Sequence, residues 1–201
     1  MKAFPQRKAF RDSITNVIRR ELLSGKLKFD EPIREQKLAS RFGTSRGPVR
    51  DALMQLTQEG VLEYLPNKGV RVSSPLTDQE REIVVSMRLE LEKFCMKKFL
   101  PQASEEDLQN ISLLLERLSH ACEQASLPEV AECDLALHRY WVAQASPHLE
   151  STWLGLSVRM IMKYSRLANY EQAIDEHTRI VDAIVKKDVE RALFYLGENI
   201  L

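Results

Sequence analysis

The stretch Thr44-Ser45-Arg46-Gly47-Pro48-Val49-Arg50-Asp51-Ala52-Leu53 constrains this chain more than any other, because helix-start chemistry, two cations and an apolar stripe follow one another within ten residues. Thr44 and Ser45 can cap orphan backbone N–H groups, Pro48 is tolerated in a first turn, and Arg46 and Arg50 stand one turn apart on the same face. Val49, Leu53 and Leu56, with Ala52, make the opposite, inward face. Upstream, Leu38, Ala39 and Phe42 give a shorter stripe that ends at Gly43. Two helices joined by a tight turn, the second opening with hydroxyls and arginines, outline a helix-turn-helix, whose second helix enters the major groove N-terminus first.

Charge supports a polyanionic partner. Residues 1–75 hold 15 Lys and Arg against 8 Asp and Glu, whereas residues 76–201 hold 14 against 21, so a net charge of zero conceals a basic half and an acidic half. That division fits a nucleic-acid binder better than an enzyme of uniformly mixed charge. No apolar run approaches the ~20 residues that a membrane helix needs. The segment Met1 to Phe10 carries Lys2, Arg7 and Lys8 without an apolar core, unlike a secretion signal. Cys95, Cys122 and Cys133 form no CxxC pair, which suits a reducing cytoplasm and gives them no expected catalytic or metal role.

In chain order, Ile14, Val17, Ile18 and Leu22 predict a first helix over Phe10 to Ser24, stopped by Gly25. Phe29 to Pro32 reads as a turn, followed by helices over Arg34 to Phe42 and Ser45 to Glu59. Val61 to Leu65 and Val70 to Val72 flank the turn Pro66-Asn67-Lys68-Gly69 and predict a hairpin. Three helices and a basic-tipped hairpin make a winged helix-turn-helix. Beyond the break at Ser73 to Leu76, Thr77-Asp78-Gln79-Glu80 has the form of a capping box. The helix it opens carries Ile83, Met87, Leu91 and Phe94 as one apolar stripe. Further helices are expected from Ser104 onward, over Pro128 to Ala145, Pro147 to about Ala168, Tyr170 to Lys187 and Asp188 to Leu201. The expected fold is mainly α: a DNA-binding domain over 1–75 and an all-α bundle of about six helices over 76–201, large enough to enclose a ligand.

At this point the sequence resembles a known family. Leu22 with Gly25-Lys26-Leu27, Leu38-Ala39, Gly43 to Leu53, Leu56, Glu59-Gly60 and Gly69-Val70-Arg71-Val72 resemble, in order, the winged helix of the GntR family of bacterial transcription regulators. By position the resemblance implies that Ser45, Arg46, Gly47 and Arg50 are DNA contacts, with Lys68 and Gly69 at a wing tip near the minor groove. Many relatives carry Arg where this chain has Gln36, which implies an altered contact. The physical case is parallel, since a helix N-terminus attracts phosphate and Arg can bind guanine with two hydrogen bonds. The purely structural alternative for Arg50 is a pair with Asp51 or Glu35. Arg34, Lys37 and Arg41 read equally well as a solvated face.

The second half resembles the FCD ligand-binding domain of the FadR subfamily. Arg88-Leu89-Glu90-Leu91-Glu92 is similar to its R-x-x-x-E entry helix, Asp134 to His138 to its D-x-x-x-H, and Glu176-His177-Thr178-Arg179-Ile180 with Ala183-Ile184 to its later E-H motif. The resemblance implies a divalent metal (Zn, Ni or Mn) on Asp134, His138 and His177. Asn199 stands where a fourth His is usual and would be a weak, hard ligand. The alternative is that the two histidines are hydrogen-bonded core residues; His120 and His148 lack a partner pattern. Arg88 and Arg159 are candidate partners for a carboxylate effector.

Together these features predict a cytoplasmic, homodimeric, non-enzymatic repressor that binds a palindromic operator and responds to an organic acid. Two other readings stand beside it. In one, the helical half only dimerises, without effector or metal. In the other, Asp134, His138 and His177 form the water-activating site of a metal-dependent hydrolase, for which no accompanying base or nucleophile motif is visible.

Overall fold

A computed structural model describes residues 3–162 and 169–201. The chain divides into two compact units, Met1–Pro75 and Leu76–Leu201. In the first, α1 (Ala3–Leu23) leads through β1 (Pro32–Ile33) to α2 (Glu35–Arg41), α3 (Arg46–Gln58), β2 (Leu62–Leu65) and β3 (Gly69–Val72). The first helix starts earlier than the apolar stripe alone predicts. Part of the expected Phe29–Pro32 turn is strand: the sheet order is β1-β3-β2, all antiparallel, with Pro32 opposite Arg71 and Leu62 opposite Val72. Pro66 and Asn67 make the wing turn. The first has its φ fixed by the ring, the second takes φ 62°, and the Lys68 N–H donates to the Leu65 carbonyl at 3.0 Å, as a type II turn requires.

Ile14, Ile18 and Leu22 of α1 meet Val49, Ala52, Leu53 and Leu56 of α3 in a fully buried core closed by Val61, Leu62 and Val72. Two ion pairs set the helix angles. The buried Arg19 binds both oxygens of Glu59, at 3.0 and 2.9 Å, linking α1 to the end of α3. Arg41 of α2 donates to both oxygens of Glu21 on α1, at 2.8 and 2.6 Å.

The second unit contains α4 (Asp78–Phe99), a short 3-10 turn at Leu100–Gln102, α5 (Glu105–Glu123), α6 (Leu127–Ala145), α7 (Pro147–Ile161), α8 (Tyr170–Val185) and α9 (Val189–Ile200). The expected extension of α7 toward Ala168 falls on residues 163–168, outside the described residues. Thr77 and Ser104 each cap their helix in a reciprocal box, with Glu80 and Asp107. One expectation is corrected. The Ile83, Met87, Leu91 and Phe94 stripe does not face the core of its unit: Ile83, Met87 and Phe94 are more than half exposed. The buried face of α4 is Val85, Arg88, Leu89, Glu92, Cys95, Met96 and Phe99. That face reaches α6 and α7, so two charged side chains enter the core. No described helix is long and apolar enough to cross a membrane.

Candidate nucleic-acid interface and metal centre

Gly43, at φ 58°, lets α2 turn into α3, and the Thr44 N–H closes the turn on the Ala39 carbonyl at 3.0 Å. Ser45 occupies the N-cap position with extended backbone, yet its side chain makes no capping hydrogen bond. The sequence supplies part of the reason. A capping serine accepts from the N–H two or three residues on, and the third residue here is Pro48, which has no N–H, so only the Gly47 N–H is left for such a bond. The α3 N-terminus therefore presents its hydroxyl and its positive end outward.

Ser45, Arg46, Arg50 and Gln36 are all exposed. Gln36 Oε1 accepts from Arg46 Nε at 2.6 Å, so the residue that departs from the usual arginine orients its neighbour. Arg50 forms a pair with Glu35 at 3.2 Å, and its side chain is still 66% exposed. The expected alternative partner is thus real, and such a surface pair is weak enough to exchange for a phosphate. Lys68 is exposed at the wing turn, beside Gly69 at φ 84°. Arg71 is tied to Glu63 at 2.7 Å and to Asp30 at 3.5 Å, which braces the wing.

The second unit holds a different arrangement. Asp134 and His138, one turn apart on α6, meet His177 of α8, all three buried and with donor atoms within 4.8 Å of one another. His177 Nε2 lies 2.9 Å from Asp134 Oδ1 and 3.1 Å from His138 Nε2, and His138 Nε2 lies 4.0 Å from the same oxygen. The tautomers follow from the outer partners. His138 Nδ1 faces Glu92 Oε2 at 2.7 Å and His177 Nδ1 faces the Ala173 carbonyl at 2.6 Å. A carboxylate and a carbonyl only accept, so each Nδ1 carries a proton and a ring in its neutral form turns a bare Nε2 lone pair inward. With both rings neutral, two lone pairs and a carboxylate oxygen converge with no proton among them, an arrangement that calls for a cation.

The donors fit such a cation. Imidazole and carboxylate bind divalent transition metals at about 2.0–2.2 Å, which puts neighbouring donors roughly 3 Å apart. Glu92 and the Ala173 carbonyl orient the rings as outer partners of metal-bound histidines do. The other cation that suits the geometry is a proton on His177. Burial opposes that charge, but the Asp134 carboxylate overrides it and raises the imidazole's pKa.

Glu92 is the hub, a role that sequence reasoning did not assign to it. Its Oε1 accepts from Arg88 Nε and from Trp153 Nε1, each at 2.7 Å, while Oε2 holds His138. Burial pushes its carboxyl up, and His138, Arg88 and Trp153 more than offset this, holding it at about 2. The signal that could have found it is the Arg88 and Glu92 pair at i and i+4, in register with Val85, Leu89 and Met96. Arg88 is fully buried, with Met160 Sδ 3.8 Å from Nη1. Arg159 is half-buried, and its charge acts on Glu80 at the start of α4. Asn199, half-buried on α9, donates to Glu176 Oε2 at 3.1 Å, next in sequence to His177. The three cysteines are unbonded, and burial pushes the Cys95 thiol up to about 11, a setting for packing rather than reactivity.

Residues 10–72 match the model described as bacterial regulatory proteins, gntR family, and residues 83–194 match that of the FCD domain. The chain is 28% identical over 185 residues to the uncharacterized HTH-type transcriptional regulator YdhC of Bacillus subtilis, covering 88% of this chain and 81% of that protein. It is 27% identical over 194 residues to a gluconate operon transcriptional repressor of Bacillus licheniformis, covering 90% and 78%. Among solved structures, E. coli McbR/YncC superposes with a TM-score of 0.81 at 22% identity, over 95% of this chain and 93% of that one, a likeness of fold.

Proposed function

The chain belongs to the gntR family of bacterial regulatory proteins, in its FadR-like branch with an FCD domain, and from that premise we propose that it is a homodimeric transcription repressor released from DNA by an organic acid. Residues 1–75 are the DNA-binding domain and 76–201 the effector-binding and dimerisation domain. Arg46 and Arg50 read base edges or phosphates, Ser45 and the Gly47 backbone meet phosphate at the α3 N-terminus, Gln36 sets the pose of Arg46, and Lys68 and Gly69 follow the minor groove. The observation that carries this reading is the exposed, uncapped start of α3, with two arginines one turn apart. One recognition helix spans only a few base pairs, so useful specificity needs two copies about 34 Å apart on a palindromic site. Repression is supported by relatives described as repressors of gluconate and D-xylose utilisation operons.

In the helical unit, Asp134, His138 and His177 hold a divalent metal, with Asn199 as a weak fourth position. Zn, Ni and Mn all accept the two-nitrogen, one-oxygen set. When bound, such an ion offers an open coordination position to a carboxylate oxygen. Arg88 supplies a buried guanidinium to the same acid, and Arg159 a second cation nearer the start of α4. The effector acts by binding more tightly to one placement of the recognition helices than to the other. The protein is not an enzyme on this reading.

Selection of duplexes from a random pool, followed by fluorescence anisotropy, tests the reading. The expected result is enrichment of an inverted repeat, bound as two chains per duplex and weakened by an organic acid. Failure of any duplex to enrich over non-specific binding would contradict it.

A further inference from the structure

Ile83, Met87 and Phe94 on α4 are 62%, 51% and 54% exposed, with the half-buried Leu91 completing the line. In the other described helices exposed large apolar side chains come singly, as Met54 does on α3, Leu113 on α5 and Val185 on α8. Single ones are ordinary on a protein surface, but a line of them along one helix marks a place where another surface sits. The opposite face of α4 is already buried in the core of its unit, through Val85, Leu89, Cys95 and Phe99.

The charges on α4 say what kind of surface that is. Glu80, Ile83, Met87, Leu91, Phe94 and Lys98 succeed one another three or four residues apart, so all six lie on one face. A carboxylate stands at one end of the apolar line and an ammonium at the other, both exposed. Asp78 and Glu80 make the first turn acidic, and Lys97 and Lys98 make the last turn basic. Glu80 is fixed in place, since its Oε2 accepts from the Thr77 N–H and from the Thr77 hydroxyl, each at 2.8 Å. A two-fold axis presents a patch to itself, and so requires a face that complements its own reverse. This face does: turned end for end about its middle, Ile83 meets Phe94, Met87 meets Leu91 and Glu80 meets Lys98. A parallel pairing would instead set carboxylate on carboxylate and ammonium on ammonium.

We propose that α4 is the face on which two copies of this chain pair, antiparallel, with Met87 and Leu91 at the centre and Glu80 against Lys98 at each end. This rests on the homodimer reading above and goes beyond it in naming the surface and its register. A partner of other sequence would have to supply the reverse of both the apolar spacing and the charge order. A second copy supplies both by symmetry, and its helix dipole, running the opposite way, adds to the attraction.

Sedimentation equilibrium of the full chain tests this, with each variant checked for intact fold by circular dichroism. The wild-type chain is expected to be dimeric. Met87→Glu, which brings two carboxylates to the centre of the apolar line, should weaken the dimer at least about thirtyfold. Lys98→Glu and Glu80→Lys each set like charges together at both ends, and each should weaken it roughly tenfold. Mixed in equal amounts, those two variants should form a heterodimer close to wild-type strength, because both end pairs are again opposite in sign. If Met87→Glu weakens the dimer but the mixture gains nothing over its components, the antiparallel register falls. A wild-type dimer that none of the three variants loosens would overturn the α4 face and leave the homodimer reading standing. A wild-type chain that stays monomeric throughout would take both down.

Discussion

Arg50 in the first unit and Arg88 in the second carry the same guanidinium and each pairs with one glutamate, but the two pairs sit in opposite surroundings. Arg50 and Glu35 are 66% and 31% exposed, while Arg88 and Glu92 are 2% and 0% exposed. Water screens the first pair, so Arg50 can leave Glu35 for a phosphate at little cost. The second pair is beyond the reach of solvent, so neither charge can be removed without stranding the other. The contrast extends to neighbouring groups. Ser45 at the start of α3 leaves its hydroxyl uncapped, whereas Thr77 and Ser104 in the helical unit close reciprocal boxes. One region keeps its polar groups available to a partner; the other ties the charged groups at its centre to one another.

The largest expected effect comes from breaking the buried pair. Glu92→Ala should destabilise the full chain by ~3–5 kcal/mol in urea unfolding, because it strands Arg88 and frees His138 from its tautomer-setting partner. A loss no larger than that from Glu35→Ala would erase the distinction between the pairs. Next, His138→Ala and His177→Ala should each abolish calorimetric binding of Zn, Ni or Mn. Glu92→Gln, which touches only the outer partner, should weaken it by about ten- to a hundredfold. Equal metal affinity in all three variants would mean that the metal binds elsewhere. Asn199→His, by adding an imidazole, should tighten it.

A smaller effect is expected at the surface. Glu35→Gln releases Arg50 and should change duplex affinity by no more than about fivefold. The smallest is a pH effect on the brace between α1 and α2. The Arg41 hydrogen bond, aided by Lys26 and opposed by burial, lowers the Glu21 carboxyl below its usual value. Its stabilising contribution is therefore complete above the unfolded carboxyl range near pH 4.5 and is lost as pH falls through the lower folded value. Amide exchange in α2 should accelerate on acidification below that range. Glu21→Gln should lack that acid-dependent step, and an unchanged profile would show that the brace contributes nothing.

Much of this was readable from the residues, for identifiable reasons. The α3 stripe, the wing turn and the two capping boxes rest on local chemistry, which a sequence displays directly. Asp134 and His138 share a face by spacing alone, and the E-H motif at Glu176-His177 supplied the third member. The strand β1 was not readable, because two residues pair with Arg71 and Val70 some forty positions away and carry no alternating pattern of their own. The face of α4 was misleading in a more instructive way. Ile83, Met87, Leu91 and Phe94 form a sound apolar stripe, and following it points Arg88 and Glu92 away from the core, although they are buried. Their i, i+4 complementarity competed with hydropathy, and only packing against α6 and α7 decides in its favour. The uncapped Ser45 was legible in part, since Pro48 removes one of the two N–H groups that a serine at that position would bind and leaves the Gly47 N–H.

The account depends most on the exposed arginines being the groups that meet DNA. Its most direct test is the anisotropy of a selected operator duplex titrated with the wild-type chain and with the Arg46→Ala, Arg50→Ala double variant, each checked for intact fold by circular dichroism. The account predicts that the folded double variant binds at least about a hundredfold more weakly, with a shallower salt dependence. Affinity and salt slope equal to wild type in a folded double variant would contradict it.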